Sequence, residues 1–233
     1  MQREEDPDAA WLAELSGVSE HRALSALREA QAERSLFRHL ERQHRAGGRD
    51  SYVEIDAPLE LFALVRLLRP LHIVEVGVSS GVSSAYLLQG LERNGRGTLH
   101  SVDLPKIDKR AKSGQGRSSW ALPFGRSSGW AVPMPLRGRW DLRLGNKKDV
   151  IPLLAEELRR IELVLYDVPH DDPGVREEFR GLDARLPSGG VVIVDHGPGG
   201  GLCPSLAWWA RRRHSTPTGR RGLGLYGFRS NSR

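Results

Sequence analysis

The sequence predicts an α/β fold, a doubly wound and mostly parallel sheet with helices on both faces and further helices at the N-terminus. Three observations carry this expectation. Strand-like and helix-like segments alternate from about residue 56 to residue 195. Two of the strands, "IELVLYD" and "GGVVIVDH", are near-continuous apolar runs of the kind buried on both faces. The first strand, "HIVEVG", runs directly into a turn of glycines and serines that opens a helix.

The elements follow in order. From Pro7 to His44, leucines at spacings near three and four among charged neighbours predict two helices, split around Gly17 and Ser19. This segment, within residues 1–50, is a helical extension, and residues 51–233 form the main domain. "DAPLELFALVRLLRP" is a helix with Asp56 as its N-cap and Pro70 as its stop. After "HIVEVG" a helix is expected from about Val82 to Arg93, ended by Asn94 and Gly95. "GTLHSVDLP" and "WDLRLGN" are the second and third strands, and "DVIPLLAEELRR" and "DPGVREEFRGLDARL" are helices around the fourth. A short helix presents Trp208 and Trp209, read as packing residues, and "RRHSTPT" with "GLGLYGFR" suggests a closing hairpin. Between the second and third strands, residues 105–139 are rich in glycine, serine and proline and lack periodicity. A loop of that length is usually a functional cover or disordered, and Trp120, Phe124, Trp130, Val132 and Met134 argue for packing or a lid.

Composition narrows the function. A chain of 233 residues can bury a substantial core, and its single cysteine, Cys203, excludes an intrachain disulfide and suits a reducing compartment. No apolar run approaches the roughly 20 residues that span a bilayer, and the acidic start "MQREEDPDAAW" is unlike a secretory signal. A cytoplasmic protein is expected. The net charge is +6 with 30 arginines against 5 lysines, scattered along the chain. The densest basic cluster, "ARRRHSTPTGRR", is a weak pointer to an anionic partner.

Ligands of open α/β sheets bind beyond the carboxyl ends of the strands. Those ends here read "EVGVSSG", "VDLP", "LGN", "YDVPH" and "VDHG". A nicotinamide fingerprint would need glycine at positions 79 and 82, which are Ser79 and Val82, and a P-loop would need a lysine that this turn lacks. Glu75, two residues before Gly77, repels phosphate and suits a cationic amino-acid ligand. Asp103 ends the second strand, where its carboxylate can accept both hydroxyls of a ribose. Small residues at the turn, an acid beside it and an acid on the next strand describe a pocket for S-adenosylmethionine. The plain alternative for Gly77 and Gly81 is a tight turn without a ligand.

The ordered set "EVGVSSGVSS", "LHSVDLP", "GWAVPMPLRGRWDLRLGNKKDVIPLL", "YDVPHDDPGVREEF" and "LPSGGVVIVDH" resembles the class I S-adenosylmethionine-dependent methyltransferases. Within them it is similar to the bacterial sugar and natural-product O-methyltransferase group, the methyltransferase domain 24 type, over roughly Ser51 to Gly197. The resemblance implies the Rossmann-like class I methyltransferase fold. It implies that Glu75, Gly77, Ser79, Ser80, Gly81 and Ser83 form the wall for the methionine part of S-adenosyl-L-methionine. Asp103 would take the ribose and Asn146, where relatives often carry aspartate, the adenine. Asp167 would face the sulfonium or the substrate.

Methyl transfer needs an aligned acceptor, and a hydroxyl acceptor also benefits from a base. His170, three residues after Asp167, is the candidate base, with a backbone-bonded loop histidine as the alternative. Asp167, Asp195 and His196 could instead hold a divalent metal such as Mg, although metal-using relatives show two adjacent acids where this chain reads "DH". His72 and His100 read as structural. The leading expectation is O-methylation of a small molecule. The alternatives are a nucleic-acid (RNA) methyltransferase, motivated by charge, and a non-catalytic cofactor-binding assembly protein in which the N-terminal helices support an oligomer.

Overall fold

The computed structural model describes residues 6–46, 58–105, 122, 125–167, 174–195, 204–213, 215, 218–219 and 225–231. Eight helices and seven strands lie within them. In chain order they are α1 (Pro7–Ser16), α2 (Glu20–Ala32), α3 (Arg34–Ala46), α4 (Leu59–Leu68), β1 (His72–Val76), α5 (Val82–Asn94), β2 (Thr98–Asp103), β3 (Trp140–Leu144), α6 (Lys147–Glu157), β4 (Leu163–Tyr166), α7 (Gly174–Asp183), β5 (Val191–Asp195), α8 (Pro204–Arg212), β6 (Thr218–Gly219) and β7 (Leu225–Arg229). A 3₁₀ turn, Met134–Arg139, leads into β3.

The sheet runs β3-β2-β1-β4-β5-β7-β6. β1 through β5 pair in parallel, and β7 pairs antiparallel with both β5 and β6. Strand order reverses at β1, which has β2 on one side and β4 on the other, so a crevice opens at their carboxyl ends. Successive strand residues face opposite layers. Ile73, Leu99, Leu163, Leu165, Val191 and Ile193 share a core with α1, α2, α4 and α5. Val74, Val76, Val102, Val164, Tyr166, Val192 and Val194 face α6, α7 and α8.

The N-terminal helices belong to the first of these cores. Leu12, Leu15, Leu27, Leu36 and Leu40 are buried in the same cluster as Phe62, Leu87 and Leu88. Three helices form where two were expected. The extra break falls at Glu33, whose buried carboxylate accepts hydrogen bonds from Gln89 (3.0 Å) and Arg93 on α5. Turning the chain there lets one acid satisfy two α5 side chains, a tertiary demand that leucine spacing does not reveal. Asp56 and residues 168–173 lie outside the described residues. Of the strand expected at "RRHSTPT", Arg212 instead ends α8 and Thr218 opens β6.

Trp208 and Trp209 pack, as expected. Trp209 is buried and donates to Asp183 at 2.7 Å, while Trp208 lies beneath the guanidinium groups of Arg176 and Arg212. Among the described residues no helix is long and apolar enough to cross a membrane.

Candidate functional site at the carboxyl edge of the sheet

The turn after β1 takes a tight path. Gly77 (φ 94°), Ser79 (φ 48°) and Gly81 (φ 91°) are all left-handed, a conformation that glycine adopts at no steric cost and serine does not. Backbone bonds hold the neighbouring strand ends in one row: Gly77 N–H donates to Val102, Asp167 N–H to Val76 and Gly145 N–H to Asp103, each at 2.8–2.9 Å. Gly77, Asp103, Asn146 and Asp167 are thereby brought to one edge, as the alternation of the sequence implied.

Asp103 accepts the Val78 amide on Oδ1 at 3.3 Å and the Ser128 hydroxyl on Oδ2. The two leucines beside it are unusually exposed, Leu104 at 54% and its strand neighbour Leu144 at 58%. An acceptor pair next to bare apolar surface can hold a polar ring joined to a flat apolar one. Asn146 caps α6, its side-chain oxygen accepting from Lys148 N–H at 3.0 Å, which leaves the amide NH₂ as its donor.

Glu75 differs from its sequence-based role. It lies on the α5 face of β1 with no exposed surface, and its carboxylate accepts from Ser83 (2.7 Å), Ser84 (2.7 Å) and Ser101 (2.6 Å). Burial raises its pKa above the ordinary carboxylate value, against the pull of these three hydroxyls. A group so enclosed ties β1 to β2 and to the first turn of α5. It is not placed to meet a cationic ligand directly, and Ser83 is committed to it.

The segment before β3 covers this turn. Gly129 N–H donates to the Ser79 carbonyl at 2.8 Å and Ala131 N–H to the Ser80 carbonyl at 3.0 Å. A Cβ on Gly81 would sit 2.7 Å from Val132 and 2.8 Å from the Gly129 backbone, so glycine is needed there for the covering segment as well as for its φ. Arg137 donates to the carbonyls of Gly129 (3.1 Å) and Val132 (3.2 Å), and His39 of α3 lies 3.0 Å from the Ala131 carbonyl. Trp120 and Phe124, expected in this loop, lie outside the described residues, whereas Val132 is buried and Met134 is 74% exposed.

Asp167 and Asp195 follow Tyr166 and Val194, the paired residues that end the β4–β5 ladder. His170, His196 and Cys203 lie outside the described residues. Among the described residues no group of three or more His, Cys, Asp or Glu could hold a metal ion.

The methyltransferase domain model (type 24) matches residues 74–196, more than half of the chain and the whole of this edge. The chain belongs to the methyltransferase domain family. A candidate O-methyltransferase of Mycobacteroides abscessus is 32% identical to this methyltransferase-domain chain over 148 residues, 63% of this chain and 58% of that protein. The chain thus spans less than two thirds of that relative's length. A methyltransferase from Geobacter sulfurreducens superposes with a TM-score of 0.56, covering 85% of this chain and 89% of its own, at 16% identity. An O-methyltransferase from Bacillus cereus, solved in complex with SAH, gives 0.54 over 85% and 91%, also at 16% identity. At such identities the likeness is one of fold.

Two contributors to this methyltransferase-domain edge were not singled out in the sequence. Ser128 reaches Asp103 from a loop with no periodicity, and its only signal was the neighbouring Gly129-Trp130 in an otherwise polar stretch. His39 sits on α3, about ninety positions from the loop that it touches.

Proposed function

We propose that this chain is an S-adenosyl-L-methionine-dependent methyltransferase that methylates a small molecule at oxygen. The observation that carries the reading is Asp103, an acid at the end of β2 beside the left-handed turn 77–81 and flanked by exposed Leu104 and Leu144. The donor set fits the cofactor. A carboxylate accepts a vicinal diol, bare leucines suit the face of adenine, and the Asn146 amide supplies a hydrogen-bond donor for its edge.

When bound, the cofactor supplies an electrophilic methyl group on a sulfonium. In this reading Gly77, Ser79, Ser80 and Gly81 shape the wall along its methionine part, and Glu75 with Ser83 holds that wall from beneath. Asp103 takes the ribose hydroxyls. Asp167, exposed at the end of β4, borders the reacting centre. His170, three residues further, accepts the proton of the acceptor hydroxyl as its oxygen attacks. Aligning acceptor and methyl group in line is the main contribution asked of the protein. Asp167 and Asp195, at the ends of β4 and β5, would supply two of the ligands if a divalent metal bound at this edge.

Calorimetric titration of the whole chain with S-adenosylhomocysteine, followed by transfer of labelled methyl groups to cellular small-molecule fractions with and without chelator, tests the reading. Saturable binding and labelled product are expected. Absence of cofactor binding overturns it, and binding without transfer to any fraction overturns the enzymatic part.

A further inference from the structure

We propose that Ser128 is a positioning residue that prepares Asp103 for the ribose of the cofactor, and so links the covering segment 126–133 to cofactor binding. The inference rests on the cofactor reading above and adds a residue that the strand-end pattern does not contain.

The argument starts from the lone pairs of one carboxylate. Two oxygens offer about four acceptor positions. On Asp103 the protein takes one on each oxygen, Oδ1 from the Val78 amide and Oδ2 from the Ser128 hydroxyl. One position on each oxygen is then left for a ligand, which is the requirement of a vicinal diol donating two hydrogen bonds. With both oxygens anchored, the carboxylate cannot rotate freely about its terminal bond, so less freedom is lost when the diol arrives.

Ser128 is itself held. It is 4% exposed, and the next residues bond their amides to the carbonyls of Ser79 and Ser80 in the turn. Arg137 bonds the Gly129 and Val132 carbonyls of the same segment, and His39 lies against its Ala131 carbonyl. One covering segment therefore touches the turn at Ser79–Gly81 and the acid at Asp103, two walls of a single crevice. The Ser128 hydroxyl would compete with the ribose only if it took the acceptor position that the diol needs. The free acceptor position on Oδ2 favours cooperation.

The test compares Ser128→Ala with the unaltered chain on two ligands, S-adenosylhomocysteine and its 2′,3′-dideoxyribose analogue, by calorimetry. Removing a charge-assisted hydrogen bond that orients the acceptor is expected to weaken the ribose ligand about tenfold. The dideoxy ligand should weaken less than about twofold, because it does not use Asp103. Ser128→Thr, which keeps the hydroxyl, should restore affinity to within about threefold. Hydrogen exchange of the 126–133 segment should slow on binding in the unaltered chain and less so in Ser128→Ala. Equal losses on both ligands would mean a merely structural role, and unchanged or tighter binding would mean no role or competition; any of these overturns the proposal. If the unaltered chain binds neither ligand, the cofactor reading fails first and this inference with it. If Ser128→Ala does not fold, Ser128→Cys, isosteric but a weak donor, is put through the same comparison.

Discussion

Ser101 on β2 donates a 2.6 Å hydrogen bond to Glu75 on β1, a carboxylate with no exposed surface. Trp140 on β3 donates its indole N–H to the same Ser101 at 2.8 Å, so a buried polar chain crosses three adjacent strands beneath the turn. Ser83 and Ser84 complete it from α5.

Replacing Glu75 by alanine strands three hydroxyls and opens a cavity, so unfolding free energy should fall by about 3 kcal/mol. Glu75→Gln should cost about 1 kcal/mol at neutral pH, since the amide keeps one acceptor oxygen and its NH₂ can donate to a serine hydroxyl oxygen. Because burial raises the pKa of Glu75, the stability tied to its proton is complete below its ordinary value of 4.5 and is lost as pH rises through the native value. Denaturant unfolding across this range should show that decline reduced in the glutamine variant.

Gly129 has a φ of 68°, and a Cβ there would run into the ring of Trp140. Gly129→Ala should therefore lower stability by about 2 kcal/mol or more and loosen the covering segment from Ser79 and Ser80. Thermal melting checks the first effect. Faster amide exchange at Gly129 and Ala131 checks the second.

At the opposite end of the strands, His72 Nδ1 lies 3.1 Å from His100 Nε2, and His100 Nδ1 lies 2.9 Å from Asp141. Burial first, and His100 second, hold His72 below its ordinary value of 6.5, with Glu162 opposing. A histidine lowered in this way takes up fewer protons when folded than when unfolded. Its contribution is present above about 6.5 and is lost as pH falls through the native value. Stability should drop on acidification below that point, and His72→Gln should flatten the drop when unfolding is measured at pH 5 and pH 7.

Asp103→Ala should weaken S-adenosylhomocysteine in calorimetry by about a hundredfold or more, beyond the loss expected for Ser128→Ala. His170→Ala should bind the cofactor normally and lower turnover about a hundredfold or more. Full turnover in that variant removes the histidine from the mechanism.

Much of the frame was legible in the residues. The apolar runs of β4 and β5 and the alternation of strands with helices required a parallel sheet, and that order brings Gly77, Asp103, Asn146 and Asp167 to one edge. The surroundings of Glu75 were not legible in the sequence. An acid beside a turn looks the same in sequence whether it faces a ligand or a nest of serines, and the period-2 geometry that sends it toward α5 matters only once β2 and α5 are packed around it.

The sequence by itself determined the sheet, the excluded phosphate motifs and the family to which the chain belongs, because these depend on local pattern and on short, ordered spacings. Only the tertiary structure decided that the segment 126–133 covers the turn, that His39 of α3 meets this segment, and that Ser128 reaches Asp103. Those contacts join positions 25 to about 90 residues apart. Long-range closure of that kind is paid for by packing across the whole core, and no local spacing records it.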